Sequence, residues 1–407
     1  MNKYFKLLSL LIICGACDKT PQIVDTIEDN FEFADQQLRY AISQIDSTTV
    51  NFTKEEIEKQ LVCPRSINTE NKLIMIPSKD WCSGFFPGEL WYMYEYTGND
   101  YWRKAAEKYT AHIEREKFNG KTHDMGFKIY CSFGNGYRLT QNEAYKNIMI
   151  KAAETLIIRY NPNVGCTRSW NHHKHKWQFP VIIDNMMNLE LLFWAYNQTK
   201  DKTFYDIAVS HARTTLKNHF RNDFSSYHVI DYDTITGEVL KRNTHQGFSD
   251  ESAWARGQAW GLYGYTMCYR ETHIPEFLEQ AKKIANYIYT HKNLPSDKIP
   301  YWDFNAPNIP NEVRDVSSAT VIASALYELS KYDTKKSEKY ISWADTIINN
   351  LTNTYRANLA QSYGFLLLHS TGSAPHDSEV DVPLVYADYY FLEALLRRQQ
   401  LTTVPKS

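Results

Sequence analysis

Glu276-Phe277-Leu278-Glu279-Gln280-Ala281-Lys282-Lys283-Ile284-Ala285-Asn286-Tyr287-Ile288 decides the fold of this chain. Its apolar residues Phe277, Leu278, Ala281, Ile284, Ala285 and Ile288 recur at three- and four-residue steps, so they share one face of a helix. The same spacing returns at Tyr340, Ile341, Ala344, Ile347, Ile348 and Leu351, and again at Trp102, Ala105, Ala106, Tyr109 and Ile113. Each stretch opens with an aromatic followed four residues later by alanine: Trp102/Ala106, Phe204/Ala208, Phe277/Ala281 and Tyr340/Ala344. The small alanine lets a partner helix approach closely. Turn residues such as Thr97-Gly98-Asn99-Asp100 precede the pattern and end an earlier, more apolar helix. The unit is therefore a helical hairpin, repeated with unequal insertions.

Counting outward gives about a dozen candidate helices, at 26–45, 81–97, 100–117, 126–141, 143–160, 184–199, 202–219, 256–271, 275–292, 316–332, 337–355 and 385–400. Segments such as Met186–Tyr196 and Gly257–Tyr269 are apolar nearly all round, as helices buried on both sides must be. Six hairpins with buried first members predict an all-α fold, an (α/α)6 barrel formed as one domain over 25–402. An open superhelical array of the same hairpins is the competing arrangement. Residues 160–183 and 220–255 hold too many Gly, His, Trp and Asp for helix, and are expected as loops with a short hairpin around Tyr227–Val239.

Of the 407 residues, 14% are aromatic and the formal net charge is −2. That balance argues against nucleic acid or an anionic membrane as partner, since both require a basic face. Tryptophans in loops suit stacking on sugar rings. Lys3 and Lys6 precede the apolar run Leu7–Ile13 and then Cys14-Gly15-Ala16-Cys17, the layout of a lipoprotein-type signal over residues 1–17. The run is too short to span a bilayer. The expectation is export to the periplasm of a Gram-negative bacterium, with a lipid anchor on Cys17 as the membrane contact. Cys63, Cys82, Cys131, Cys166 and Cys268 lack metal-ligand spacing and read as small buried hydrophobes.

Asp184, in Ile182-Ile183-Asp184-Asn185-Met186-Met187-Asn188, enters a buried helix. As a plain N-cap it would contribute about 1 kcal/mol. Walled by Ile and Met it would instead be desolvated, with the raised pKa that a general acid near neutral pH needs. Asp124, in Thr122-His123-Asp124-Met125-Gly126-Phe127, also precedes a helix beside apolar residues, and its plain reading is a loop aspartate with a structural histidine neighbour. Two such carboxylates at one barrel mouth suit glycoside chemistry. The run Trp254-Ala255-Arg256-Gly257-Gln258-Ala259-Trp260 places two indoles around a guanidinium, an arrangement for a sugar carboxylate. Asn171-His172-His173-Lys174-His175 lacks helical metal spacing and reads as a solvated loop. There is no Gly-x-Ser-x-Gly elbow, and Gly134-Asn135-Gly136 lacks the context of a phosphate loop.

Taken with Trp81-x3-Phe85-Phe86-Pro87-Gly88, these motifs make the chain resemble glycoside hydrolase family 88, the unsaturated glucuronyl hydrolases, from about Trp81 to Glu393. The resemblance implies an (α/α)6 barrel, Asp184 as general acid and base, and Asp124 as a second essential aspartate. It implies substrate contacts at His228, Gln246, Trp254, Arg256, Trp260, Trp81, His123 and Trp170. It also implies no metal or cofactor, an unsaturated uronate-containing oligosaccharide as substrate, and a monomer or homodimer. A sister family acting on unsaturated rhamnogalacturonyl ends typically has Asn-Gly where this chain has Gln258-Ala259. A non-catalytic glycan-binding lipoprotein would keep the tryptophans and the arginine without needing two desolvated carboxylates. A polysaccharide lyase on the same barrel would use a Tyr/His pair such as Tyr227-His228.

Overall fold

The computed structural model describes residues 23–403, so the expected leader and Cys17 lie outside the described residues. Six inner segments form a ring: Phe85–Thr97, Gly126–Thr140, Asn185–Thr199, Ala255–Thr272, Val316–Leu329 and Val385–Thr403. Each packs on the next, and Val385–Thr403 packs back on Phe85–Thr97, which closes the barrel and excludes the open superhelix. The partner helices Asp100–Ala111, Glu143–Ile157, Lys202–Asn218, Pro275–Thr290 and Ser337–Asn350 lie outside, and Ile23–Val50 completes the sixth pair.

Burial follows the pattern of the sequence. All 14 residues of Val316–Leu329 are buried, whereas Pro275–Thr290 buries Phe277, Ala281, Ile284, Ala285 and Ile288 on one face and keeps its lysines outside. Each large aliphatic or aromatic side chain fully withdrawn from water contributes roughly 1.5–3 kcal/mol. The aromatic and alanine of each expected pair are both buried, at Trp102/Ala106, Phe204/Ala208, Phe277/Ala281 and Tyr340/Ala344. The five cysteines expected in the core are free and buried.

The hairpin turns share a second signature. Inner helices end at Gly98, Gln141, Lys200 and His273, each left-handed, and each donates its N–H to the carbonyl of Tyr94, Tyr137, Tyr196 or Tyr269. The residue before each is a threonine (Thr97, Thr140, Thr199, Thr272) whose hydroxyl donates to the carbonyl four residues back. Asn99, Asn142 and Asp201 then cap the outer helices through their side chains. These turns reverse the chain in two residues because both helix ends are satisfied within them.

Three expectations need correction. The helix expected at 81–97 starts at Phe85, after a turn. The helix expected at 126–141 is π-helical over Gly126–Gly134 before becoming α-helical at Asn135–Thr140. Its backbone runs unusually close to helix Asn185–Thr199: a Cβ on Gly126 would lie 2.7 Å from Asn188 Cα, and Phe127 N–H donates to Asn188 Oδ1 at 3.0 Å. The widened turn and the missing Cβ bring the segments after Asp124 and Asp184 together. The hairpin expected around Tyr227–Val239 is present as Val229–Tyr232 and Val239–Asn243, but Pro180–Ile182, expected as loop, joins it in a three-stranded antiparallel sheet at the barrel mouth, and Leu61–Ile67 pairs with Leu73–Pro77 in a hairpin that periodicity did not reveal.

Candidate active site

The mouth sheet sets the position of the first carboxyl. Ile182 pairs with Val229, so the next residue, Ile183, donates to the carbonyl of His228 at 3.1 Å, and Asp184 follows beside the His228 ring. Asp184 has helical backbone angles (φ −57°, ψ −26°), and its side chain makes no capping bond. The carboxyl is therefore not spent on the helix end. Asn185 takes over the anchoring: it accepts from Ser169 Oγ at 2.8 Å and donates to the Thr167 carbonyl at 2.8 Å, which pins the loop carrying Trp170.

Asp184 is 8% exposed, and burial pushes its carboxyl up to about 7, with Arg256 opposing and the Asp124 charge adding to the rise. Such a group is half protonated near neutral pH, so it can give a proton and take one back. His228 faces it, with Nε2 3.8 Å from Asp184 Oδ2. The backbone N–H groups of His245 and Gln246 both donate to His228 Nδ1 at 3.1 Å. Those two donors place the ring proton on Nε2, pointing at Asp184. Burial, then the neighbouring His245 and Arg256, hold His228 neutral by pushing its pKa well below the usual range. Asp184 Oδ2 and His228 Nε2 face each other and are both buried without a hydrogen-bond partner.

Asp124 is held from its own loop. Its Oδ2 accepts from the Thr122 hydroxyl, and its Oδ1 lies 3.1 Å from His123 Nε2. Burial pushes His123 down to about 4, so it stays neutral beside that carboxyl.

These side chains surround a cavity of about 400 Å³. Of the residues expected from sequence, Asp184, Asp124, Trp81, His123, Trp170, Gln246 and Arg256 line it. The other three stand behind the wall. Trp254 and Trp260, expected on either side of a bound sugar, are 3% and 0% exposed. Trp254 packs on His228 at 4.5 Å between ring centroids and on the Arg256 guanidinium at 4.6 Å, while Trp260 packs against Phe127 and Tyr390. Arg256, expected to grip a sugar carboxylate with its whole fork, spends most of it inside the protein. It donates to Asp315 Oδ2 at 2.9 Å and to the carbonyls of Thr371 and Gly372 at 2.6 and 2.5 Å. Its main work is to tie the 371–372 backbone to the barrel and to place a positive charge near Asp184.

Other contributors were not expected at the site from sequence. Arg65, from the unforeseen hairpin, bridges Asp80 and Glu379 and lines the cavity with Glu379 and Tyr386. His172, His245 and His376 form part of the rim, and His172 stacks on Trp170 at 5.0 Å. The run expected as solvated loop is thus exposed, but one of its histidines faces the site. Gln258 accepts from Ser226 N–H at 2.8 Å and donates to Ser226 Oγ at 3.1 Å, which holds the segment ahead of His228. The loop Ser362–Asp381 contributes Gly372, Ser373, His376, Ser378 and Glu379 to the wall.

A closed helical barrel with a raised carboxyl, a second carboxylate and ringed aromatics at one mouth defines an acid–base enzyme of carbohydrate-binding character. Known proteins agree with that class. The model of glycosyl hydrolase family 88 matches residues 56–294. An unsaturated glucuronyl hydrolase of Formosa agariphila is 50% identical over 341 residues, 83% of this chain and 85% of that one. An unsaturated chondroitin disaccharide hydrolase of Streptococcus pneumoniae is 32% identical over 82% of this chain and 85% of its own. A solved unsaturated glucuronyl hydrolase specific for heparin superposes with a TM-score of 0.86 at 44% identity, over 93% of this chain and 98% of that one. The chain belongs to glycosyl hydrolase family 88.

Proposed function

We propose that this protein removes the 4,5-unsaturated uronic acid from the non-reducing end of glycosaminoglycan-type oligosaccharides produced by lyases. The observation that carries the reading is Asp184: a buried carboxyl with a pKa of about 7, free of any capping duty and facing a neutral His228. The C4=C5 bond of such a sugar is a vinyl ether. Protonation at C4 by Asp184 leaves positive charge at C5, shared with the ring oxygen. Water then adds at C5 and returns a proton to the Asp184 carboxylate. The hemiketal opens to a 5-keto sugar, and the aldehyde forming at C1 expels the neighbouring sugar as an alcohol. One residue serves as acid and then as base, so the carboxylate spacing of ordinary glycosidases does not apply. Asp124, oriented by Thr122 and His123, is placed to orient the water or the ring.

The relatives act, by their names, on glucuronyl and chondroitin fragments, and a similar structure is of a heparin-specific enzyme. Absorbance near 235 nm, which reports the double bond, tests the assignment on defined unsaturated disaccharides, sulfated and not. Loss of absorbance with wild type and not with Asp184→Asn is expected. No loss with either refutes the hydrolase, and a rise on intact polysaccharide would instead identify a lyase. For the leader, Lys3, Lys6, the apolar run and Cys17 support export and lipid anchoring in the periplasm. Incorporation of labelled palmitate into wild type but not Cys17→Ser is the test.

A further inference from the structure

Beside the active-site mouth lies a second concavity of about 620 Å³, whose lining includes Arg168, Lys174, His175, Lys176, Trp177 and Lys241. Its one carboxylate, Asp231, is buried and occupied, accepting from Phe179 N–H at 2.7 Å. Among the described residues none of its four lysine and arginine side chains is ion-paired, whereas Lys117, Lys151 and Lys282 elsewhere on the surface each hold a glutamate within 3.0 Å. Arg168 Nε is buried without a partner. This concentration of unneutralised positive charge stands on a chain with a formal net charge of −2. Arg168 donates to the Gln178 carbonyl at 2.6 Å and Lys241 to the Lys176 carbonyl at 3.4 Å, neither of which neutralises the charge, and the mutual repulsion of the cations opposes folding.

The concavity adjoins the active site across the buried Trp177 ring, and the exposed loop 171–176 runs from His172 on the catalytic rim to Lys174 and Lys176 in the second concavity. That ring lies 5.4 Å from Trp170 and 5.7 Å from His245, both of which line the catalytic cavity, and Lys176 Nζ sits 4.3 Å from its centre. Trp170, His172 and His245 thus stand on the side of the catalytic cavity nearest the cations.

We propose that this basic groove is an additional docking site for the reducing-end sugars of a polyanionic oligosaccharide, so that the protein favours fragments longer than a disaccharide. The inference rests on the hydrolase reading for the direction in which the chain leaves the catalytic cavity. Sulfate and carboxylate groups recur along such a chain, and lysine ammoniums, as flexible point charges, accept them without demanding one sulfation pattern. The groove therefore adds length preference and salt sensitivity rather than sequence discrimination.

The test compares an unsaturated disaccharide with a hexasaccharide from the same sulfated glycosaminoglycan, using wild type and the triple variant Lys174→Ala/Lys176→Ala/Lys241→Ala. These side chains are exposed, and none touches the catalytic groups. The variant is expected to lose about tenfold in kcat/KM on the hexasaccharide and less than about twofold on the disaccharide, with the difference vanishing as salt rises from about 50 to about 500 mM. The triple arginine variant should recover the preference. Equal loss on both substrates, or no loss on either, overturns the proposal. Titration of the hexasaccharide into Asp184→Asn protein, with and without the lysine substitutions, reads the groove without turnover. If wild type hydrolyses neither substrate the hydrolase reading falls, and the groove then stands or falls on whether the lysine substitutions weaken that binding.

Discussion

Replacing Asp184 by asparagine should make the protein more stable while abolishing its chemistry, and the gain should depend on pH in a specified way. The Asp184 carboxyl is raised by burial from 3.8 to about 7. Between those values the folded protein keeps a proton that the unfolded chain releases, so stability falls as pH rises through the window and is level above it. A shift of about three units at 1.36 kcal/mol each sets the ceiling of this penalty at roughly 4 kcal/mol. Asparagine has nearly the same shape and cannot ionise, so it escapes the penalty. Thermal unfolding of wild type and Asp184→Asn from pH 4.5 to 8.5 should show little difference at the acid end and a gap opening toward about 5 °C above pH 7. A capping role predicts something else: no gain for asparagine, a loss of about 1 kcal/mol for Asp184→Ala, and no dependence on pH. A gap that stays constant with pH, or an asparagine variant less stable at pH 8, would refute the desolvated-acid account.

Other expectations follow from the same geometry. His228→Ala should lower kcat/KM by about a hundredfold, because a neutral Nε2–H donor next to Asp184 is lost, and far-UV circular dichroism should show an intact fold. Asp315→Ala leaves Arg256 buried and unpaired, and urea unfolding should report a cost of about 3–5 kcal/mol, much more than for the exposed pair formed by Lys59 and Glu55. Lys200 is held left-handed (φ 62°), so Lys200→Gly should raise stability by up to about 1 kcal/mol in the same assay.

The barrel was legible because its twelve helices must bury one face or all faces, and both demands write a 3.6-residue period into the chain. The pair of carboxylates lining the cavity was legible less from the carboxylates than from their neighbours, since an aspartate at a helix start is usually a cap. What escaped reading depends on distance along the chain. Arg65 and Glu379 meet across 314 positions, and neither lies in a distinctive motif. Trp254 and Trp260 have the residue type of sugar platforms, but composition does not say which face of a helix start looks into the cavity. Gln258 stands in the same motif, and only the structure shows that it grips Ser226 and so steadies His228. The π-helical turn at Gly126 depends on contact with Asn188, which local sequence does not reveal.

The most direct test of the central claim is where the oxygen of water goes. Protonation at C4 followed by hydration at C5 sends the solvent oxygen to C5, and the new C1 aldehyde keeps the former ring oxygen. Displacement at the glycosidic bond would place it at C1. A single turnover of an unsaturated disaccharide in 18O-water, trapped by borohydride before the free carbonyls exchange oxygen with solvent and read by mass spectrometry, should put the label at C5. Label at C1, with the double bond surviving in the released sugar, would contradict the assignment of Asp184 as the acid that protonates carbon.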